Sequence, residues 1–138
     1  MDHQAIGRKS KRKGKTGELE FSRLCNDHGW NTHRTAQVKG KTGEAGDVEG
    51  LPGIHVEVKR TEAFHLYDAL DQSRRDAIAN GNGDLPIVAY RKNDCRWVVV
   101  MDAHDWFTMY NASIVTAVKH SQINSAEEDG KVVGEEQE

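Results

Sequence analysis

No run in this sequence comes near the roughly 20 consecutive apolar residues needed to cross a bilayer, and the first residues form no apolar signal core. Both absences lead to the expectation of a soluble, cytoplasmic protein with no membrane partner. Cysteine is scarce. Cys25 and Cys95 lack metal-ligand spacing, and in a reducing compartment both are expected as buried thiols. The 7 histidines form no compact His/Cys set, which argues against a structural zinc site. Gly14-Lys15-Thr16 and Gly40-Lys41-Thr42 lack the glycine that a phosphate loop places five positions before its Gly-Lys pair. Lys9 and Thr35 stand there instead, so no nucleotide cofactor is expected. No internal repeat is visible.

What is present is charge. Apolar residues make up 36% of the 138, and charged residues 30%, which describes one domain with a small core under a charged surface. The net charge of −3 hides a strong asymmetry. Arg8, Lys9, Lys11, Arg12, Lys13 and Lys15 concentrate cations at one end, whereas the segment 127–138 is acidic apart from Lys131. The expected organisation is a flexible basic arm over 1–15, a single domain over 16–122 and a disordered acidic tail over 123–138. Two readings of the arm stand: it binds phosphates and releases counterions, or it is a solubilising end.

Periodicity predicts a helix over 17–29, with Phe21, Leu24, Cys25 and His28 on one face and Gly29 as its stop. Strands follow over 30–36, 47–51 and 54–60, the last two joined by a Pro52-Gly53 turn after a polar, glycine-containing loop. A helix over 64–79, with Leu66, Leu70, Ala77 and Ile78 as expected core contacts, stops at the glycine-rich run 80–83. Strands over 85–90 and 96–101 flank a turn at 92–94, and Asp102 is placed to cap a third helix. Trp106, Phe107, Met109 and Tyr110 on that helix read as core or as an apolar dimer patch. The order predicts an α/β domain whose mixed central sheet is covered by helices.

Chemistry enters at 54–59. Alternation puts Ile54, Val56 and Val58 on one face and His55, Glu57 and Lys59 on the other. Asp47 opens the preceding strand, and the intervening turn folds it back beside Glu57. Two converging carboxylates make a hard oxygen site suited to Mg²⁺. Bound there, the ion would lower the pKa of a water and stabilise phosphoryl charge, while Lys59 would neutralise developing negative charge. The alternative is the wet face of an ordinary strand. His55 reads mainly as a solvated side chain, and Glu49 as a spare ligand or a solvated acid. Glu18 lies on the helical face of Phe21 and Cys25 and is expected to point inward, whereas Glu20 competes with it for the helical acid's role. Arg34, Lys39 and Lys41 add phosphate-seeking charge near the site.

The helical acid followed by Gly46-Asp47, nine residues and Glu57-Val58-Lys59 resembles the PD-(D/E)XK nuclease superfamily, and within it the archaeal-type Holliday junction resolvases and their phage-encoded relatives. The similarity runs from Lys13 to about Trp106 and includes Lys13-Gly14, residues 27–30, Gln72 with residues 75–77, residues 86–92 and residues 97–101. It implies a restriction-endonuclease-like fold with Glu18, Asp47, Glu57 and Lys59 as the catalytic set. It also implies a metal held by Asp47, Glu57 and the Val58 carbonyl, Mg²⁺ with Mn²⁺ as a substitute, and supporting roles for Glu20 and Gln72. The expected activity is paired nicking of four-way DNA junctions by a homodimer, in a host cytoplasm if phage-encoded. The basic residues named above, with Arg34, Lys39 and Lys41, would contact the backbone. Gly46 stands where the superfamily name places proline. Other readings are a different nuclease on this fold, restriction-like or a branched-DNA nickase, and a non-catalytic DNA-binding protein.

Overall fold

The computed structural model describes residues 3–36 and 46–135, with side chains described over 12–36 and 46–129. Lys39, Lys41 and the side chains of Arg8, Lys9 and Lys11 lie outside the described residues. The chain divides into two compact units, residues 1–102 and 103–138.

The first unit contains α1 (His3–Asp27), β1 (His33–Arg34), β2 (Val48–Glu49), β3 (Ile54–Arg60), α2 (Leu66–Asn80), β4 (Leu85–Arg91) and β5 (Val98–Met101). The five strands lie in chain order across one sheet. β3 and β4 run parallel, with Val56 opposite Ile87 and Val58 opposite Ala89. The other neighbours are antiparallel. The fold is therefore the mixed-sheet α/β arrangement expected from the sequence, and β3 begins and ends where its alternation predicts.

One sheet face carries the core. Phe21 and Cys25 of α1 pack against Val48, Val56, Val58, Ile87 and Ala89, with Trp97 and Met101 at the margin. Val56 is wholly buried, and burying a valine side chain contributes about 1.5–3 kcal/mol. The helix comes close to the sheet because Gly17 has no side chain: a Cβ there would sit 2.5 Å from Arg60 Cβ. The opposite face is also covered. Ala69, Ser73 and Ala77 form a small-residue stripe on α2, and Ser73 Oγ donates to the Ile87 carbonyl at 2.9 Å. His55 and Glu57 on that face are consequently buried, at 2% and 7% exposure.

Several expectations need correction. The first helix starts at His3 rather than near residue 17, so it runs through the basic segment read as a flexible arm. Lysine and arginine are good helix formers, and charge alone does not end a helix. β1 and β2 are two residues each rather than full strands. On α2, Ile78 and Leu66 are exposed at 73% and 39%, because the small stripe at 69, 73 and 77 is what packs.

The second unit is α3, Ala103–Glu135, a helix that continues through residues expected to be disordered tail. Trp106, Phe107, Met109 and Tyr110 are 43–53% exposed. A single helix cannot bury its own apolar side chains; that needs a second element. Trp106 stacks on Tyr110 at 5.0 Å between ring centroids and meets Phe107 edge-on. No helix among the described residues is long and apolar enough to cross a membrane.

Candidate active site

The tight β2–β3 connection brings the two central acids together. Val48 pairs with Val56, and the Asp47 amide donates to the Val56 carbonyl at 2.7 Å. Gly46 permits this approach, since a Cβ there would meet the Val56 carbonyl oxygen at 3.0 Å and its nitrogen at 3.1 Å. The glycine in place of proline thus has a steric reason in this chain. One turn of the ladder further, the Val58 amide donates to Asp47 Oδ2 at 2.8 Å. In a strand, the amide and carbonyl of one residue face the same edge. The Val58 carbonyl therefore shares the edge occupied by the Asp47 carboxylate.

Glu57 and Lys59 follow on the face beneath α2. Lys59 Nζ lies 3.7 Å from Glu57 Oε1 and 3.4 Å from Gln72 Oε1. Beside them an open cleft of ≈ 500 Å³ is lined by Lys59, Phe64, His65, Gln72 and Arg75, among others. Phe64 stacks on Tyr90 with ring centroids 3.8 Å apart.

Burial dominates the electrostatics. It pushes the Asp47 carboxyl up to about 6, against the Val58 amide and with help from the nearby charge of Glu18. It pushes Glu57 up to about 7, with Asp47 adding repulsion and Lys59 offsetting only part of it. The Lys59–Glu57 pair is too long to reverse the desolvation cost. A half-buried and a buried carboxyl that repel each other, with a main-chain carbonyl on the same edge, form an all-oxygen donor set that a hard divalent cation would relieve. The residues fit such an ion.

The two helical acids have different surroundings. Glu18 is 9% exposed, raises Asp47 through its charge and is paired with Arg34. Glu20 is paired with Arg91 and lies 3.5 Å from Arg60, which places it in a structural charge network. Glu49 is exposed and pairs with His33 at 3.2 Å. Arg12 and Lys15 are exposed on α1, and Lys13 lies 3.8 Å from Glu62.

His55 departs most from expectation. It is buried rather than solvated, because α2 covers the face that alternation marks as wet. Burial depresses its pKa and favours the neutral ring. Asp76 entered the sequence reading only within the resemblance, with no site role. It lies one helical turn beyond Gln72 on α2, and that i, i+4 spacing was the signal available.

No protein-family model and no curated protein sequence matches the chain. Among solved structures it is similar to Hjc, a Holliday junction resolvase from the archaeal hyperthermophile Archaeoglobus fulgidus. The TM-score is 0.50 and the identity 19%, over 64% of this chain and 76% of that one. The shared fold is that of a resolvase-like, restriction-endonuclease-type domain.

Proposed function

We propose that this chain is a metal-dependent DNA endonuclease that resolves four-way junctions as a homodimer. The observation that supports the proposal is that half-buried Asp47, bonded to the Val58 amide, and buried Glu57, beside the Lys59 ammonium, feel each other's charge on a resolvase-like fold. A pure DNA-binding protein gains nothing from carboxylates where phosphate must approach, which disfavours the non-catalytic reading.

In this reading Asp47, Glu57 and the Val58 carbonyl hold Mg²⁺, with Mn²⁺ as a substitute. When bound, the ion supplies Lewis acidity toward phosphoryl oxygen and water. The chain's own residues do the rest. Lys59 sits where it can offset negative charge developing on the phosphate, and Gln72 limits its swing. Glu18 adds negative potential behind Asp47 while Arg34 keeps it in place. Glu20 supports the fold. The cations of α1, with Lys39 and Lys41, contact backbone phosphates without reading bases.

Homodimerisation has its own support. A four-way junction has approximate two-fold symmetry, which a C₂ dimer matches with two identical sites. The exposed apolar side chains of α3, continuing through Ile114, Val115, Val118 and Ile123, are the kind of surface that a second copy covers.

The test offers purified protein and Mg²⁺ a four-way junction, a linear duplex of the same sequences and a single strand. Symmetric paired cuts confined to the junction are expected. Equal cutting of the duplex would favour a different nuclease on this fold, and binding without cutting would favour a non-catalytic protein.

A further inference from the structure

Glu57 does not face Lys59 alone. A ring nitrogen of His55, a Glu57 carboxylate oxygen and an Asp76 carboxylate oxygen all lie within 4.8 Å of one another. Ligands about 2.1 Å from a shared ion stand about 3 Å apart when adjacent and about 4.2 Å apart when opposite. The spacing therefore suits three donors around one cation, and no hydrogen bond joins the three among the described residues.

The acids alone would not make a site; the histidine does. His55 is 2% exposed, and its Nε2 is buried without a hydrogen-bond partner. A buried ring nitrogen left unsatisfied is costly, unless something supplies the missing partner. Its Nδ1 lies on the Gly46 side, 3.6 Å from where a Cβ on that glycine would be. On that side His55 also borders an open cleft of ≈ 360 Å³ lined by Gly46, Asn80, Asn82 and Asp84, among others.

We propose that His55, Glu57 and Asp76 form a second cation site, sharing Glu57 with the Asp47–Glu57 centre and taking a divalent transition ion such as Mn²⁺ in preference to Mg²⁺. The preference follows from the donors. Imidazole nitrogen suits first-row transition ions, whereas Mg²⁺ favours oxygen and retains its water. The inference rests on the nuclease reading for the neighbouring centre that shares Glu57, but His55 and Asp76 belong to this site only.

The test titrates full-length protein, without DNA, with Mn²⁺, following the free ion by electron paramagnetic resonance and the bound ion by its ¹⁴N coupling. Wild type is expected to bind two equivalents, one nitrogen-coupled. His55→Gln and Asp76→Asn should each lose that equivalent and keep the other, whereas Asp47→Asn should keep the nitrogen-coupled ion and lose the other. A single ion in wild type, lost in Asp47→Asn and without nitrogen coupling, overturns this site and leaves the nuclease centre standing. A single nitrogen-coupled ion unaffected by Asp47→Asn upholds this site and removes that centre. Nitrogen coupling unchanged in His55→Gln overturns the assignment of the ligand.

Discussion

The Val58 amide holds Asp47 Oδ2 at 2.8 Å, fastening the first acid to the strand that carries the second. The bond stabilises the ionised form of Asp47, yet burial outweighs it and leaves both acids reluctant to ionise. Cation binding and protonation therefore compete for the same two side chains.

That competition predicts an unusual pH dependence of stability. The folded carboxyls titrate near 6 and 7, above their ordinary values of 3.8 and 4.5. Across about pH 4 to 7 the folded chain thus holds protons that the unfolded chain has released, and stability falls as pH rises. Metal-free protein is expected to lose on the order of 1–3 kcal/mol from this source between pH 4.5 and 7.5. Mg²⁺ should raise the melting temperature at pH 7.5 and leave it nearly unchanged at pH 4.5. Calorimetry at the two pH values checks both statements, and an equal Mg²⁺ effect at each would contradict them.

Asp47→Asn is expected to make the metal-free protein more stable at pH 7.5, because the amide removes a buried charge that burial disfavours. Denaturant melts of the apo-proteins would read this directly. A less stable variant would mean that the Val58 bond matters more than the desolvation.

Lys59 and Gln72 should separate by degree. Lys59→Met removes the cation beside Glu57 and should slow cleavage by about a hundredfold or more, the scale of losing one electrostatic contact to a transition state. Gln72→Ala removes only a 3.4 Å restraint on that ammonium and should cost less than about tenfold. Single-turnover rates on a junction would distinguish the two, and equal losses would give Gln72 a direct role.

Arg34 is engaged with Glu18, and its side chain is 27% exposed against 11% for the acid. Arg34→Ala should therefore destabilise the fold by ~1–3 kcal/mol, leaving Glu18 uncompensated beside Asp47. Deleting residues 1–12 should instead weaken DNA binding and flatten its salt dependence. Thermal melts and salt titrations of binding separate these effects; unaltered stability in Arg34→Ala would return that residue to the DNA-contacting set.

The extent to which these features were legible in the sequence follows from what periodicity can report. Alternation located β3 and paired Glu57 with Lys59, because period two survives any environment. It does not report what covers the second face. α2 packs through Ala69, Ser73 and Ala77, of which only Ala77 was an expected core contact, because Ala69 and Ser73 are too small or too polar to stand out as hydrophobic. His55 consequently read as solvated, Ile78 as core, and Asp76 was given no site role. The same limit applies to Trp106 and Tyr110, whose apolar character says that something covers them without saying what. The helix start was also set too late, because a basic run contains nothing that stops a helix and α1 begins at His3.

The central claim is that Asp47 and Glu57 act together on DNA, and the most direct measurement is cleavage and binding of a four-way junction by Asp47→Ala and Glu57→Ala beside wild type in Mg²⁺. Each variant is expected to bind the junction about as tightly as wild type while cutting at least about a hundredfold more slowly. Wild-type turnover in either variant would contradict the account.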